Sequence, residues 1–165
     1  MEECISVFDM LKIGVGPSSS HTLGPWRAAE RFLNELKEEN ILEKVISVKV
    51  DLYGSLSLTG IGHATDLAVM LGLSGQDPEY IPVKDIDGII KSIKECNKLK
   101  LSNQFDIHFN PETAIVFNKN FLPFHANGLT FTAYYNDSQY ESTFYSIGGG
   151  FVIKKKEPMQ NKKKK

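Results

Sequence analysis

The stretch that decides the fold is residues 14–22, GVGPSSSHT, which runs directly into residues 23–30, LGPWRAAE. It combines a Gly/Pro turn, three consecutive hydroxyls and an imidazole immediately before a predicted helix. Side-chain hydroxyls and free backbone N–H groups at a helix start can hold a small anion. We therefore interpret residues 14–22 as a ligand cradle.

Helices and one strand follow the cradle. Apolar residues at helical spacing predict a helix over residues 25–39, with Thr22 as its N-cap. Alternating apolar and polar residues over 45–53 predict a strand. A second polar loop, 54–63, precedes a predicted helix at 64–72 that ends on a glycine cap, and a third helix is expected at 86–99.

From Gln104 onward the pattern changes to short β-branched and aromatic segments. Strands are predicted at 105–109, 114–117, 128–135, 139–145 and 151–153. The turn-like stretches between them predict antiparallel hairpins. The expected fold is α+β, a mixed or antiparallel sheet with helices packed on it. One domain is expected over 1–153, followed by a basic, solvated tail at 154–165.

Composition excludes several classes of protein. The tail holds 7 of the 19 basic residues, which leaves the body with 12 bases against 19 acids and makes it a poor candidate for nucleic-acid binding. Cys4 and Cys96 provide neither a disulfide framework nor a four-ligand metal site, so no metal ligands are expected in this chain, and a reduced, cytoplasmic setting fits. No apolar run is long enough for a membrane span, and the acidic start does not resemble a signal peptide.

Three of the four histidines lie in polar, glycine-rich loops: His21, His63 and His125. Asp66 is three residues after His63 at a predicted helix start, where a carboxylate can orient the imidazole and raise its basicity. That pair suits a general base. A zinc site built from the three histidines is an alternative. The remaining histidine, His108, alternates with apolar residues and is expected on the solvent face of a strand.

Six segments spread over residues 5–153 carry a more specific signal. They are SVFD (6–9), IGVGPSSSHT (13–22), YGSLSLTG (53–60), HATD (63–66), HANG (125–128) and YSIGGGF (145–151). In this order they resemble the β domain of the bacterial iron-sulfur L-serine dehydratases. The resemblance covers nearly the whole chain.

The resemblance implies an enzyme that deaminates L-serine to pyruvate and ammonia without pyridoxal phosphate. In that family a [4Fe-4S] cluster, held by a separate all-helical α domain, acts as Lewis acid on the substrate hydroxyl. The implied fold is similar to the allosteric substrate-binding domain of some phosphoglycerate dehydrogenases. A homodimer is also implied.

Site roles can be placed on this sequence as hypotheses. We expect His63 to be the leading base candidate, oriented by Asp66, with His125 as the second candidate. The residues expected to hold the substrate carboxylate are Ser18, Ser19, Ser20 and His21. Asn127 is expected to help fix the polar groups of the substrate.

Two departures from the family bear on activity. The chain ends at Lys165, where the fused form of the family continues through a linker into the cluster domain, so we expect no turnover of serine by this chain alone. Ile61 stands where the family leads us to expect a lysine. Two alternatives therefore remain: a non-catalytic serine- or effector-binding module, and a metal-dependent hydrolase that uses the three histidines.

Overall fold

Five helices and seven strands form the part of the chain that the computed structural model describes, residues 20–58 and 64–156. The helices are α1 (Leu23–Glu38), α2 (Ser55–Leu58), α3 (Thr65–Leu73), α4 (Val83–Cys96) and α5 (Pro111–Ala114). The strands are β1 (Val45–Leu52), β2 (Lys98–Leu101), β3 (Phe105–His108), β4 (Ile115–Phe117), β5 (Gly128–Tyr135), β6 (Ser138–Gly148) and β7 (Phe151–Lys154).

The strands form one mixed sheet in the order β2-β3-β1-β5-β6-β7. β4 pairs with the C-terminal part of β1, whereas β3 pairs with its earlier part. β1 is antiparallel to β5 but parallel to β3 and β4. The prediction of an α+β fold with a mixed sheet is confirmed. The predicted hairpin of β3 and β4 is wrong, because both strands lie parallel to β1, whereas β5, β6 and β7 pair as antiparallel hairpins as predicted. The likeness to phosphoglycerate dehydrogenase stays a prediction.

The core lies between the sheet and helices α1 and α3. α1 packs on β5, β6 and β7, and on α3. The Phe32 ring stacks on Phe131 of β5 at 5.1 Å between ring centroids, and both side chains are fully buried. Such aromatic pairs contribute about 0.5–1.5 kcal/mol beyond the burial of their area. This contact fixes α1 against the centre of the sheet.

The predicted glycine cap at residue 72 is wrong, because Gly72 lies inside α3 and the helix continues to Leu73. A Cβ on Gly72 would lie 2.7 Å from the Ala29 Cβ and 2.8 Å from the Trp26 carbonyl oxygen. The residue is therefore needed for the close approach of α3 to α1. The chain turns instead at Gly75, whose φ is +73°.

The helix predicted at 86–99 begins earlier and ends earlier, as α4. Asn97 takes the left-handed conformation after it, with φ 51°, and turns the chain into β2, a strand that the pattern did not predict. The predicted turn at 110–113 is the short helix α5, where the Asn110 carboxamide oxygen accepts a bond from the Glu112 N–H at 3.1 Å. His108 is exposed on β3, as predicted.

Glu35 anchors α1 to the last two strands. Its carboxylate accepts hydrogen bonds from the Tyr140 hydroxyl at 3.2 Å and from the Ser142 hydroxyl at 3.1 Å, and it pairs with Lys154 of β7. The C-terminal end of α1 is thereby held against β6 and β7. None of the helices in the described residues has the length and apolar character needed to cross a membrane.

Candidate functional site

The end of the predicted cradle lies at the start of α1. Thr22 occupies the N-cap position, and its carbonyl oxygen accepts a bond from the Trp26 N–H at 3.0 Å. The Ser20 hydroxyl contacts His21 Nδ1 at 2.9 Å. The Thr65 hydroxyl, at the start of α3, donates to the His21 carbonyl oxygen at 2.6 Å. The two helix starts therefore meet at His21.

The His21 ring is held on both sides by serine hydroxyls. Nδ1 contacts Ser20, and Nε2 contacts the Ser55 hydroxyl of α2 at 3.0 Å. Whichever tautomer is present, one ring nitrogen donates and the other accepts. The Ser55 N–H also donates to the Ala126 carbonyl oxygen at 2.8 Å, which brings the second polar loop against the loop that carries His125.

The His125 loop is shaped by a bond within the loop itself. The Asn127 backbone N–H donates to His125 Nδ1 at 3.0 Å. Because a backbone N–H can only donate, Nδ1 serves as the acceptor, and the neutral imidazole then carries its proton on Nε2. His125 thus presents a donor, and no lone pair, on its other ring nitrogen.

Ser146 of β6 joins the cradle to the His125 loop. Its side chain is fully buried, and its hydroxyl donates to the Ser20 carbonyl oxygen at 2.7 Å. Its backbone exchanges two bonds with Asn127: the Ser146 N–H donates to the Asn127 carbonyl oxygen at 3.0 Å, and its carbonyl oxygen accepts from Asn127 Nδ2 at 3.2 Å. Gly24 makes room for it, since a Cβ there would lie 1.8 Å from the Ser146 hydroxyl oxygen.

These contacts close into one cycle, which we call the site ring. Around it lie Ser20, His21, Ser55, Ala126, Asn127 and Ser146. Four separate stretches of the chain contribute to it. The ring therefore exists only when the sheet and helices α1 and α2 are assembled.

The predicted site residues are placed as follows. Ser20, His21 and Asn127 lie in the site ring, and His125 adjoins it through Asn127. Asp66 lies in the first turn of α3, directly after the residue that bonds to His21. Ser18, Ser19 and His63 lie outside the described residues.

Sequence reasoning missed Ser55 and Ser146 as members of the site. Both lie in segments that carried the family resemblance, YGSLSLTG and YSIGGGF. The resemblance therefore marked these segments, but it assigned no function to the two serines. Within residues 20–58 and 64–156, no group of three or more His, Cys, Asp or Glu side chains is placed to hold a metal ion. The alternative zinc site also needs His63, which is not among those residues.

Exposed apolar side chains lie beside the ring. Leu58 of α2 is 63% exposed, and Phe121 and Phe124 of the loop before β5 are 56% and 64% exposed. Gly54, with φ +56°, packs closely against this loop, since a Cβ there would lie 2.4 Å from the Ala126 carbonyl oxygen and 2.7 Å from the Phe121 ring. We call Leu58, Phe121 and Phe124 the apolar rim.

Comparison with known proteins identifies the family of this chain. The family model described as serine dehydratase beta chain matches residues 6–157. The chain is 44% identical over 151 residues to L-serine dehydratase 1 of Escherichia coli K12, covering 90% of this chain and 33% of that protein. L-serine dehydratases of Streptomyces coelicolor and Helicobacter pylori 26695 are 45% and 42% identical, over 90% and 92% of this chain and 33% of each relative.

The chain thus spans one third of the length of these curated relatives. The match covers almost all of the chain, and it includes every segment that contributes to the site ring. The chain belongs to the serine dehydratase beta-chain family.

Proposed function

We propose that this chain is the substrate-holding part of an L-serine dehydratase, which converts L-serine to pyruvate and ammonia. The site ring is the observation that carries the proposal, because it gathers hydroxyl, imidazole and carboxamide groups at a helix start in a chain of this family. The relatives that it matches are named L-serine dehydratases. A cytoplasmic homodimer acting in amino-acid metabolism, including gluconeogenesis, belongs to the same proposal.

The reaction needs a base and a path for the leaving group. The Cα–H bond and the Cβ–O bond of L-serine break, a Cα=Cβ bond forms, and the proton and hydroxide leave as water. The enamine that results becomes an imine, and water hydrolyses the imine to pyruvate and ammonia. The protein has to hold the carboxylate and ammonium groups while a base takes the Cα proton.

We assign the substrate carboxylate to residues 18–21, as the sequence suggests. Ser20 and His21 lie immediately before α1, a helix of 16 residues, and the positive end of its dipole favours an anion at that position. The Ser20 carbonyl and the His21 ring are both tied to neighbouring segments, which limits their freedom before a ligand arrives. A site held in this way loses less entropy on binding.

We assign the base to His63, oriented by Asp66. The alternative base, His125, accepts a backbone N–H at Nδ1 and so offers only a donor at Nε2 in its neutral form. This geometry favours His125 as a hydrogen-bond donor to a negative group on the substrate. Ala64, between His63 and α3, takes the left-handed conformation with φ 61°, which costs about 1 kcal/mol for a residue with a Cβ. Such local strain is typical of site loops.

The described residues do not offer the ligands that the proposed [4Fe-4S] cluster would need. Among the described residues the one cysteine, Cys96, is exposed, and no group of three potential ligands forms. Cluster ligation requires several cysteine thiolates at one place. We therefore propose that a separate α domain or chain supplies the cluster.

The apolar rim supports a partner at this face. Three large apolar side chains stand exposed beside a polar ring, and exposed patches of this kind with polar neighbours mark interaction sites. The partner that fits the proposal is the cluster-carrying α domain, which would cover the ring and exclude water from the reaction.

Anaerobic reconstitution tests the proposed function. This chain is mixed with a cluster-loaded α domain from a relative, and pyruvate formation from L-serine is followed. We expect pyruvate above the α-only control, and we expect His63→Ala to abolish it. A stable complex that forms no pyruvate would instead support a non-catalytic serine-binding module. Turnover retained by His63→Ala would overturn the assignment of the base.

A further inference from the structure

The Asn127 carboxamide leaves one buried polar atom without a partner. Its Nδ2 donates to the Ser146 carbonyl oxygen at 3.2 Å, whereas its Oδ1 is enclosed and forms no hydrogen bond. It is the one buried side-chain oxygen or nitrogen in this condition among the described residues. Nearly all buried polar groups in proteins are paired, so an exception inside a candidate site calls for a functional explanation.

The orientation of this carboxamide is fixed by its surroundings. Rotating it by half a turn would place Oδ1 against the Ser146 carbonyl oxygen, two acceptors in contact, and would leave Nδ2 unpaired. The backbone N–H of Asn127 is already used by His125. The group that remains available at this point of the site ring is therefore an acceptor.

We propose that Asn127 Oδ1 is the acceptor for the α-ammonium group of an amino-acid ligand, which makes Asn127 the residue that selects amino acids over other small hydroxy acids. This inference rests on the proposed function. Of the polar groups of L-serine, the carboxylate only accepts and the hydroxyl both donates and accepts. The ammonium group only donates, which is the complement of a lone buried acceptor.

The energetics favour a donor that carries charge. The unbound chain already bears the desolvation penalty of Oδ1, so a ligand donor that reaches this atom recovers it. A hydrogen bond from a cation to a neutral acceptor is stronger than one between neutral groups. Because Oδ1 is enclosed, the donor must displace the atoms that cover it. Binding should therefore alter the environment of the Asn127 side chain.

The test uses three ligands and the complete 165-residue chain. L-serine carries both the ammonium and the hydroxyl, L-alanine lacks the hydroxyl, and 3-hydroxypropionate lacks the ammonium. Affinities are measured by NMR titration for the wild type and for Asn127→Leu, which keeps the number and branching of the side-chain heavy atoms but removes both polar atoms. Asn118→Leu is the matched control, because the Asn118 carboxamide also donates to a backbone carbonyl oxygen, that of Leu52, but lies outside the site ring.

We expect Asn127→Leu to lower the affinities for L-serine and L-alanine by about tenfold or more. The affinity for 3-hydroxypropionate, which is already lower in the wild type, should not change. Asn118→Leu should change none of the three affinities. Equal weakening of all three ligands by Asn127→Leu, or weakening of 3-hydroxypropionate but not L-alanine, would overturn the inference. If the wild type binds neither amino acid, the proposed function fails together with the inference, whereas unaltered amino-acid binding by Asn127→Leu refutes the inference alone.

A measurement on the wild type covers the case in which the variant does not fold. The Asn127 Cγ resonance reports on its own carbonyl group. It should shift on addition of L-alanine and stay in place on addition of 3-hydroxypropionate. The opposite pattern, or no shift with a bound amino acid, would refute the assignment.

Discussion

Replacing Gly24 with alanine should destabilise the chain although alanine is the better helix former. The new Cβ would lie 1.8 Å from the Ser146 hydroxyl oxygen and 2.7 Å from the Ser146 Cβ, distances at which something must shift. Overpacking of this kind costs about 1–3 kcal/mol. Displacing the Ser146 hydroxyl also breaks its bond to the Ser20 carbonyl oxygen, which contributes about 1 kcal/mol.

The gain from removing a helical glycine offsets about 0.5–1 kcal/mol of this loss. We therefore expect Gly24→Ala to lower the free energy of unfolding by about 2 kcal/mol. For a domain of this size the corresponding fall in Tm is about 4–8 °C. Differential scanning calorimetry on the purified chain measures both quantities.

Gly88 provides the matched control, because it lies inside α4 and a Cβ there would meet nothing within 4 Å. Gly88→Ala should raise the stability by about 0.5–1 kcal/mol. Adding Ser146→Gly to Gly24→Ala removes the clash, so the double variant should lose less than the sum of the two single variants. The reasoning is refuted if Gly24→Ala stabilises the chain as Gly88→Ala does, or if the two changes are additive.

Three further predictions follow. Burial raises the pKa of Glu30 above its ordinary value of 4.5, so the folded state disfavours its charged form, and its contribution to stability falls as pH rises through the folded pKa. The Tm of Glu30→Gln should therefore rise relative to the Tm of the wild type between about pH 4 and pH 7. A difference in Tm that stays constant over this range would contradict the prediction. Phe124→Ser should weaken association with the α domain about tenfold in sedimentation or calorimetric titration, whereas Tyr80→Ser, which removes an exposed aromatic side chain that is not part of the apolar rim, should not. Phe32→Ala should cost about 3–5 kcal/mol in denaturant unfolding, and Ile46→Ala, at a 60% exposed position, should cost little; equal losses would contradict the core described above.

Local patterns predicted the elements whose signals were long and clearly bounded. β5 begins and ends where the sequence predicts, because an apolar stretch lies between the Asn127-Gly128 turn and the polar turn at 136–138. β2 was missed because its four residues follow a strong helical pattern without a break. A short strand of this kind is specified by its pairing with β3, a tertiary contact that periodicity does not reveal.

The same limit applies to the site. Ser20, His21 and Asn127 could be predicted because they lie in polar loops next to glycines. Ser146 lies just after the predicted strand 139–145 with no polar partner nearby in sequence, and its bond to Ser20 joins positions 126 residues apart. That contact depends on β6 lying beside the start of α1, which follows from the strand order and not from any local pattern.

The hydrogen bonds of the site ring bear on which side chain could serve as the proposed base. A general base needs a nitrogen lone pair within reach of the substrate. The His21 ring uses both nitrogens in bonds to serine hydroxyls, and His125 uses Nδ1 for the Asn127 N–H. A proton on His125 Nδ1 would displace the bond from the Asn127 N–H, and a serine hydroxyl already occupies the His21 lone pair, so neither lone pair is directed at a substrate. These bonds give the site ring its rigidity and leave His63, the residue before the left-handed Ala64, as the proposed base.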